Sequence, residues 1–289
     1  MRERATKVLV LGASGMLGNS VMRLFASSPG CDVFGTLRAA ADVAWFAPDI
    51  RDRLVPGVDI GDLRRLAELV ADVRPHVVIN CIGVVKQLAE ADDPLVAIPI
   101  NSLLPHQLAK LCSPVGARLV HISTDCVFSG SKGSYTEADF PDAHDLYGRS
   151  KLLGEVGYPH TVTLRTSIIG HELNSARGLV GWFLGQRQAV KGYTHAIFSG
   201  FPAVELARIV RDVVIPHREL AGLYHVATRP ISKFALLELI AKAYGVRTEI
   251  VPDSQVVIDR SLDASRFHEA TGYLPPEWPV LIEQMHAFG

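Results

Sequence analysis

With 289 residues, 48% of them hydrophobic and 20% charged, the chain is long enough for one large α/β domain with a smaller lobe and a substantial buried core. A formal net charge of −1 gives no electrostatic reason to expect nucleic acid or an anionic membrane as partner, and no stretch is long and apolar enough to span a bilayer. The four cysteines, Cys31, Cys81, Cys112 and Cys126, lack ligand-like spacing, so no metal site is expected and they read as reduced packing residues of a cytoplasmic protein.

The run Lys7-Val-Leu-Val-Leu-Gly-Ala-Ser-Gly-Met-Leu-Gly18 predicts the central strand of a parallel sheet, turning directly into a helix over Asn19–Ala26. Gly12 permits the tight turn, Gly15 lets backbone approach a pyrophosphate, and Gly18 has no side chain to hold helix off strand. Ser14, Met16 and Leu17 fall inside the same turn, whose helix start offers unpaired N–H groups and a positive dipole end to phosphates. A glycine turn that binds nothing is the plain alternative. Its place at the head of a βαβ pattern favours a dinucleotide.

Asp32–Leu37 reads as the second strand. Where an acid would accept from a ribose 2′-hydroxyl, the chain has Leu37-Arg38, which favours the 2′-phosphate of NADP over NAD unless Arg38 is a solvated surface residue. Ala39–Arg53 is irregular, and its Trp45-Phe46 pair is expected to plug a core edge. Leu54–Val58 is a plausible third strand; Asp59, with Ile60 after it, either meets an adenine edge or caps the helix Leu63–Val73. His76–Ile82 is an apolar run suited to a strand covered on both faces. It closes in Asn80-Cys81-Ile82-Gly83, small groups across which a cofactor could lie. A helix over Asn101–Cys112 and a strand over Arg118–Ser123 continue the alternation of a doubly wound sheet.

Ser123-Thr124-Asp125-Cys126 places hydroxyls at the carboxyl end of a strand, the edge where open α/β sheets bind ligands. Beyond a polar loop, Tyr147-Gly-Arg-Ser-Lys151 opens a helix, with Tyr147 and Lys151 one turn apart on one face. A phenol with an ordinary pKa near about 10 exchanges protons poorly at neutral pH. Lys151 and an oxidised nicotinamide together are expected to lower it, making Tyr147 an acid, with Thr124 holding the reacting oxygen and Lys151 also gripping the nicotinamide ribose. Thr161–Thr166 is the next strand.

From Ser167 the alternation weakens into loops and helices, read as a substrate lobe containing Trp182. Val204–Ile215 reads as a helix and Gly222–Val226 as a strand returning to the main domain, and Phe234–Tyr244 as a helix of the lobe. The expected division is 1–166 with 202–226 for the dinucleotide domain, and 167–201 with 227–289 for the lobe. Arg260 is a candidate cation for a diphosphate, or else a structural partner of Asp263.

Gly12-Ala-Ser-Gly-Met-Leu-Gly18, His121-Ile-Ser-Thr-Asp-Cys-Val-Phe-Ser-Gly130, Tyr147–Lys151, Leu164-Arg-Thr166 and Gly200-Phe-Pro202, with Arg260–Asp263 as a weaker match, resemble the extended short-chain dehydrogenase/reductases. Within these, nearly the whole chain resembles the dTDP-4-dehydrorhamnose reductase group. The resemblance implies a Rossmann-type doubly wound parallel sheet with a C-terminal substrate-binding lobe, a triad at Thr124, Tyr147 and Lys151, and NADPH as cofactor. It implies reduction of the 4-keto group of a nucleotide-linked 6-deoxysugar for polysaccharide assembly, with Asp125, Cys126, Trp182 and Arg260 toward the sugar nucleotide. A homodimer is compatible with it. Members of the group usually carry a tyrosine in place of Cys126 and a compact second crossover in place of Ala39–Arg53, which leaves dTDP- and UDP-N-acetyl substrates both open. The related 4,6-dehydratases carry Asp-Glu where this chain has Asp125-Cys126, which disfavours dehydration. An epimerase of the same fold and a non-catalytic regulatory subunit, like that of methionine adenosyltransferase, are the rival readings. Consumption of NADPH excludes the first, and an intact triad argues against the second.

Overall fold

The structure, a computed structural model, describes residues 5–86 and 89–289. Six strands alternate with helices in the first half: β1 (Thr6–Leu11), β2 (Cys31–Thr36), β3 (Leu54–Val55), β4 (Val77–Asn80), β5 (Arg118–Thr124) and β6 (Thr161–Thr166). Beyond them lie β7 (Ile168–Ile169), β8 (Val190–Phe198), β9 (Phe201–Pro202), β10 (Gly222–His225), β11 (Ile231–Ser232) and β12 (Ile250–Asp259). The main sheet has the order β10-β6-β5-β4-β1-β2-β3, all parallel. From β1 the chain winds outward to β3, then returns to β4 on the other side of β1 and winds outward again. The reversal opens a crevice at the carboxyl ends of β1 and β4, where ligands bind in such sheets.

β1 shows why the sheet sits at the centre. Val8, Leu9, Val10 and Leu11 are all fully buried, and the two-residue period sends them to opposite faces. Val8 and Val10 join Val21, Met22 and Phe25 of the helix Met16–Ala26. Leu9 and Leu11 join Leu66, Leu69 and Val70 of Leu63–Val73, with Leu104 and Leu108 of Leu104–Cys112. Burying each such side chain contributes about 1.5–3 kcal/mol.

The first helix begins at Met16, three residues before the predicted Asn19, because the turn closes at Gly12 (φ +82°) and the helix starts as soon as Gly15 is passed. β3 is only two residues long. Val58 is buried beyond it, its N–H on the Leu37 carbonyl at 3.0 Å. Ala39–Arg53 forms a 3-10 turn, Ala40–Trp45, and a short helix, Pro48–Arg51. Phe46 enters the core as expected, but Trp45 remains 38% exposed. The helix read as Asn101–Cys112 starts earlier, as Pro94–Ala97 followed by a π-type turn over Ile98–Leu103. The helix read as Val204–Ile215 is α-helical over Ala203–Ile209 and π-type over Val210–Val214.

The region past Ser167 corrects the reading of loops and helices. β8 is flanked by β12 in parallel and β11 in antiparallel, a second sheet that packs on the helix Lys233–Tyr244. β12 is largely exposed, and its Val-Pro-Asp-Ser-Gln stretch lacks clean alternation, so little in it signals a strand. Among the described residues no helix is long and apolar enough to cross a membrane.

Candidate active site

β5 ends on Thr124, and a 3-10 turn, Asp125–Val127, follows. Thr124 Oγ1 accepts from the Cys126 N–H at 3.1 Å and donates to Asp125 Oδ1 at 3.2 Å, which holds a buried hydroxyl at the strand tip. Opposite it, the helix Leu146–Leu153 starts on Asp145, whose Oδ1 accepts from the Gly148 N–H at 2.8 Å and whose Oδ2 accepts from Lys86 Nζ at 2.7 Å. Gly148 lets this helix lie against the turn. A methyl group there would collide with the Cys126 carbonyl oxygen and stand 2.6 Å from Ala143 Cβ.

This close approach sets Tyr147 beside Thr124. Burial, and then the neighbouring Cys126, push the phenol well above its ordinary range, and a hydrogen bond with the Thr124 hydroxyl opposes them. Lys151, 5% exposed, donates from Nζ to the Ile122 carbonyl at 2.8 Å. A methyl group on Gly83 would lie 3.7 Å from that Nζ, so Lys151 reaches from β5 to the end of β4. Burial pushes Lys151 down to about 8. The expected lowering of the phenol is therefore not what the protein's own groups produce, because burial dominates for both residues. At neutral pH Tyr147 is a neutral acid beside a largely protonated lysine.

The glycine turn lies across the crevice. Gly15 is exposed, and the helix Met16–Ala26 begins with no side-chain cap on its first N–H groups, so Ser14, Met16 and Leu17 present backbone to a ligand. Gly12 and Gly18 are packed so closely that a methyl group on Gly18 would collide with the Gly12 carbonyl oxygen. These features fit a pyrophosphate. Arg38 is exposed immediately beyond β2, and half-buried Ile60 follows Asp59 near β3. Asp59 does not cap the next helix. Its Oδ1 accepts from the Gly61 N–H at 2.9 Å, and Asp62 takes the cap through the N–H groups of Arg64 and Arg65, each at 3.1 Å. Past β4 the Cys81 N–H bonds the Leu11 carbonyl at 3.1 Å, and burial pushes the Cys81 thiol up to about 12. The Ile82 N–H donates to Asn80 Oδ1 at 3.1 Å. Ser123, read as a cofactor contact, turns its hydroxyl away from the cleft to Glu155 Oε1 at 2.8 Å.

In the turn after β5, burial holds Asp125 above the usual carboxylate range against the pull of Arg260, and burial pushes the Cys126 thiol up to about 12, leaving it a neutral thiol. Arg260 donates from Nε to the Phe128 carbonyl at 2.7 Å. It does not pair with Asp263, whose Oδ1 accepts from the Ser265 N–H at 2.8 Å. Trp182 is 39% exposed on the helix Leu179–Leu184, with no hydrogen bond from its ring to the triad among the described residues. Among those residues no group of three or more His, Cys, Asp or Glu could hold a metal ion.

Asn101, Glu155 and Arg165 belong to the surroundings of the site; the sequence reading gave none of them a role there, although Arg165 stands in the Leu164-Arg-Thr166 motif of the resemblance. Asn101 Oδ1 accepts from the Val84 N–H at 3.0 Å and its Nδ2 donates to Ser150 Oγ at 3.1 Å, which ties the loop after β4 to the helix Leu146–Leu153. The four-residue step from Lys151 to Glu155 was the available signal for the glutamate.

The fold is a Rossmann-type doubly wound parallel sheet, with Thr124, Tyr147 and Lys151 gathered at the carboxyl end of β5 across from the glycine turn. The chain belongs to the family described as the RmlD substrate binding domain, which matches residues 6–270. It is 28% identical over 269 residues to a Haloferax volcanii protein named "Probable low-salt glycan biosynthesis reductase Agl14", covering 89% of this chain and 86% of that one. It is 33% identical over 149 residues to methionine adenosyltransferase 2 subunit beta of Mus musculus, where the match spans 52% of this chain but only 41% of that protein's length. A solved dTDP-4-dehydrorhamnose reductase from Bacillus anthracis in complex with NADP shares the fold, with a TM-score of 0.80, 21% identity and 99% of each chain covered.

Proposed function

We propose that this protein is an NADPH-dependent reductase of the 4-keto group of a nucleotide-linked 4-keto-6-deoxysugar, dTDP-4-dehydrorhamnose or a UDP-linked N-acetylated 4-keto-6-deoxyhexose, in polysaccharide precursor synthesis. One observation carries the reading: the Thr124 hydroxyl, the Tyr147 phenol and the Lys151 ammonium gather at one strand edge, facing a glycine turn shaped for a pyrophosphate. The reductase names of the Haloferax and Bacillus proteins support it. NADPH, when bound, supplies the hydride.

The chain's own residues do the rest. The N–H groups at the start of Met16–Ala26 bind the pyrophosphate, and Arg38 meets the 2′-phosphate. Lys151 holds the nicotinamide ribose. Thr124 donates to the keto oxygen and orients it, and Tyr147 delivers its proton to that oxygen as negative charge develops there. Asp125 and Cys126 line the sugar, with Arg260 toward the diphosphate and the lobe of 167–201 and 227–289 covering the nucleotide. The intact triad weighs against a purely regulatory role, for which a matched acid and buried cation are unnecessary.

The test is a screen of nucleotide 4-keto-6-deoxysugars, made in place by a dehydratase and followed by nicotinamide absorbance. Stoichiometric loss of NADPH is expected, and turnover without it would point to an epimerase. Replacing Arg38 by Ala should cost NADPH at least about tenfold in affinity while NADH binding holds, since a hydrogen bond to a charged group is typically about 1.5–3 kcal/mol. Equal affinities for the two cofactors in the parent protein would remove that claim. Arg260→Ala should raise the KM for sugar nucleotide at unchanged NADPH affinity. A variant that only melts earlier would instead assign Arg260 to holding the Phe128 turn.

A further inference from the structure

The segment that carries Tyr147 is pinned to β5 twice, at the two residues just before Thr124: once from its helix and once from just past the helix end. Lys151 Nζ donates to the Ile122 carbonyl at 2.8 Å, and the Ser123 hydroxyl donates to Glu155 Oε1 at 2.8 Å. Glu155 lies four residues beyond Lys151 and is itself held in place. Arg165, on β6 opposite Ser123 in register, donates from Nε to Oε1 and from Nη2 to Oε2, both at 2.6 Å. This is a two-pronged pair of fixed geometry, and Arg165 is 3% exposed.

The chain of contacts continues to β10. Arg165 Nη1 lies 3.2 Å from Nε2 of His225, its register partner, whose Nδ1 lies 2.9 Å from the Tyr135 carbonyl. With Nδ1 donating to that carbonyl, Nε2 is left to accept from Arg165, so the ring is neutral. Burying such a pair is weak evidence for stability, because apolar side chains of similar volume often serve as well. Its contacts to Ser123 and its place beside Lys151 point to another use.

We infer that Glu155, held by Arg165, is a positioning residue of the site: through Ser123 it sets Thr124 against Tyr147, and its charge is the counter-charge of the Lys151 ammonium. What Thr124 and Tyr147 do rests on the reductase reading; the counter-charge does not. The titratable groups that bear on Lys151 are Glu155 just past its helix, Cys81 beyond β4 and His121 on β5, with the Arg165 guanidinium on the far side of the Glu155 carboxylate. Burial raises the Cys81 thiol and lowers His121, so both are neutral at pH 7. Glu155 is the anion among them, and it opposes the burial that lowers Lys151.

The decisive experiment is the titration of the Lys151 ¹³Cε resonance, assigned by its loss in Lys151→Arg, in the parent and in Glu155→Gln. The isosteric variant should move the midpoint about one pH unit lower. An unmoved midpoint in folded Glu155→Gln overturns the inference. If that variant does not fold, Glu155→Asp withdraws the carboxylate by one methylene and should move the midpoint in the same direction by less, with no movement again overturning it. Ser123→Ala, which cuts one pin and keeps the charge, should lower kcat about tenfold with NADPH affinity within twofold and the Lys151 midpoint in place. Parent-level kcat in Ser123→Ala overturns the positioning of Thr124. A parent protein that reduces no nucleotide ketosugar would sink the functional reading, whereas the Lys151 titration would still decide the counter-charge.

Discussion

Tyr147→Phe should lose at least about a hundredfold in turnover with NADPH affinity nearly unchanged. The variant keeps the ring and removes only the proton donor, and a positioned general acid typically contributes about 10²–10⁴-fold. The geometry makes this a clean substitution, because the helix itself is placed by Gly148 and the Lys151 contact to Ile122 and not by the phenol. The pH dependence follows from the same burial. Tyr147 stays protonated through the neutral range because its pKa is raised, so it does not limit reduction there. Lys151, lowered to about 8, titrates first, and reductive kcat/KM should fall as pH rises through that region and the ammonium is lost. Lys151→Met should therefore weaken NADPH binding as well as turnover. Single-turnover measurements check the assignment, and a Tyr147→Phe protein that keeps most of its rate when chemistry limits turnover excludes the phenol as the acid.

Gly18→Ala is expected to have the next largest effect, on cofactor binding and stability together. The added methyl group would collide with the Gly12 carbonyl oxygen and stand 2.9 Å from the Gly12 carbonyl carbon and 3.0 Å from Ala13 Cα. All three obstacles are backbone, so no side chain can rotate aside and the helix must lift from β1. Overpacking of this kind typically costs about 1–3 kcal/mol, which lowers Tm by several degrees in a chain of this size. Lifting the helix also displaces the N–H groups that would hold the pyrophosphate, and NADPH Kd should rise by at least about tenfold. Gly157→Ala is the matched control: a methyl group there meets nothing within 4 Å, and neither quantity should move. Unchanged NADPH affinity in a folded Gly18→Ala protein would show that the turn does not grip the cofactor.

The sequence alone determined the doubly wound sheet, because β1, β4 and β6 are buried on both faces and must be apolar or hydrogen-bonded throughout, and because closely spaced glycines mark the turn where the first helix packs on β1. It also placed Tyr147 and Lys151 on one helix face, a local consequence of 3.6 residues per turn. Three things were decided only in three dimensions. β8 and β12 pair across more than fifty residues and stay half exposed, so their strand signal is weak while their partner supplies the hydrogen bonds. Asp59 and Asp62 are equally good caps by residue type, and only the helix start chose Asp62. Ser123 has the composition of a ligand contact, yet its hydroxyl goes to Glu155, because Arg165 and Glu155 come from separate segments and their charges meet only once β6 lies beside β5. The same burial set the direction in which Tyr147 and Lys151 titrate, since desolvation depends on what the whole fold packs around a group.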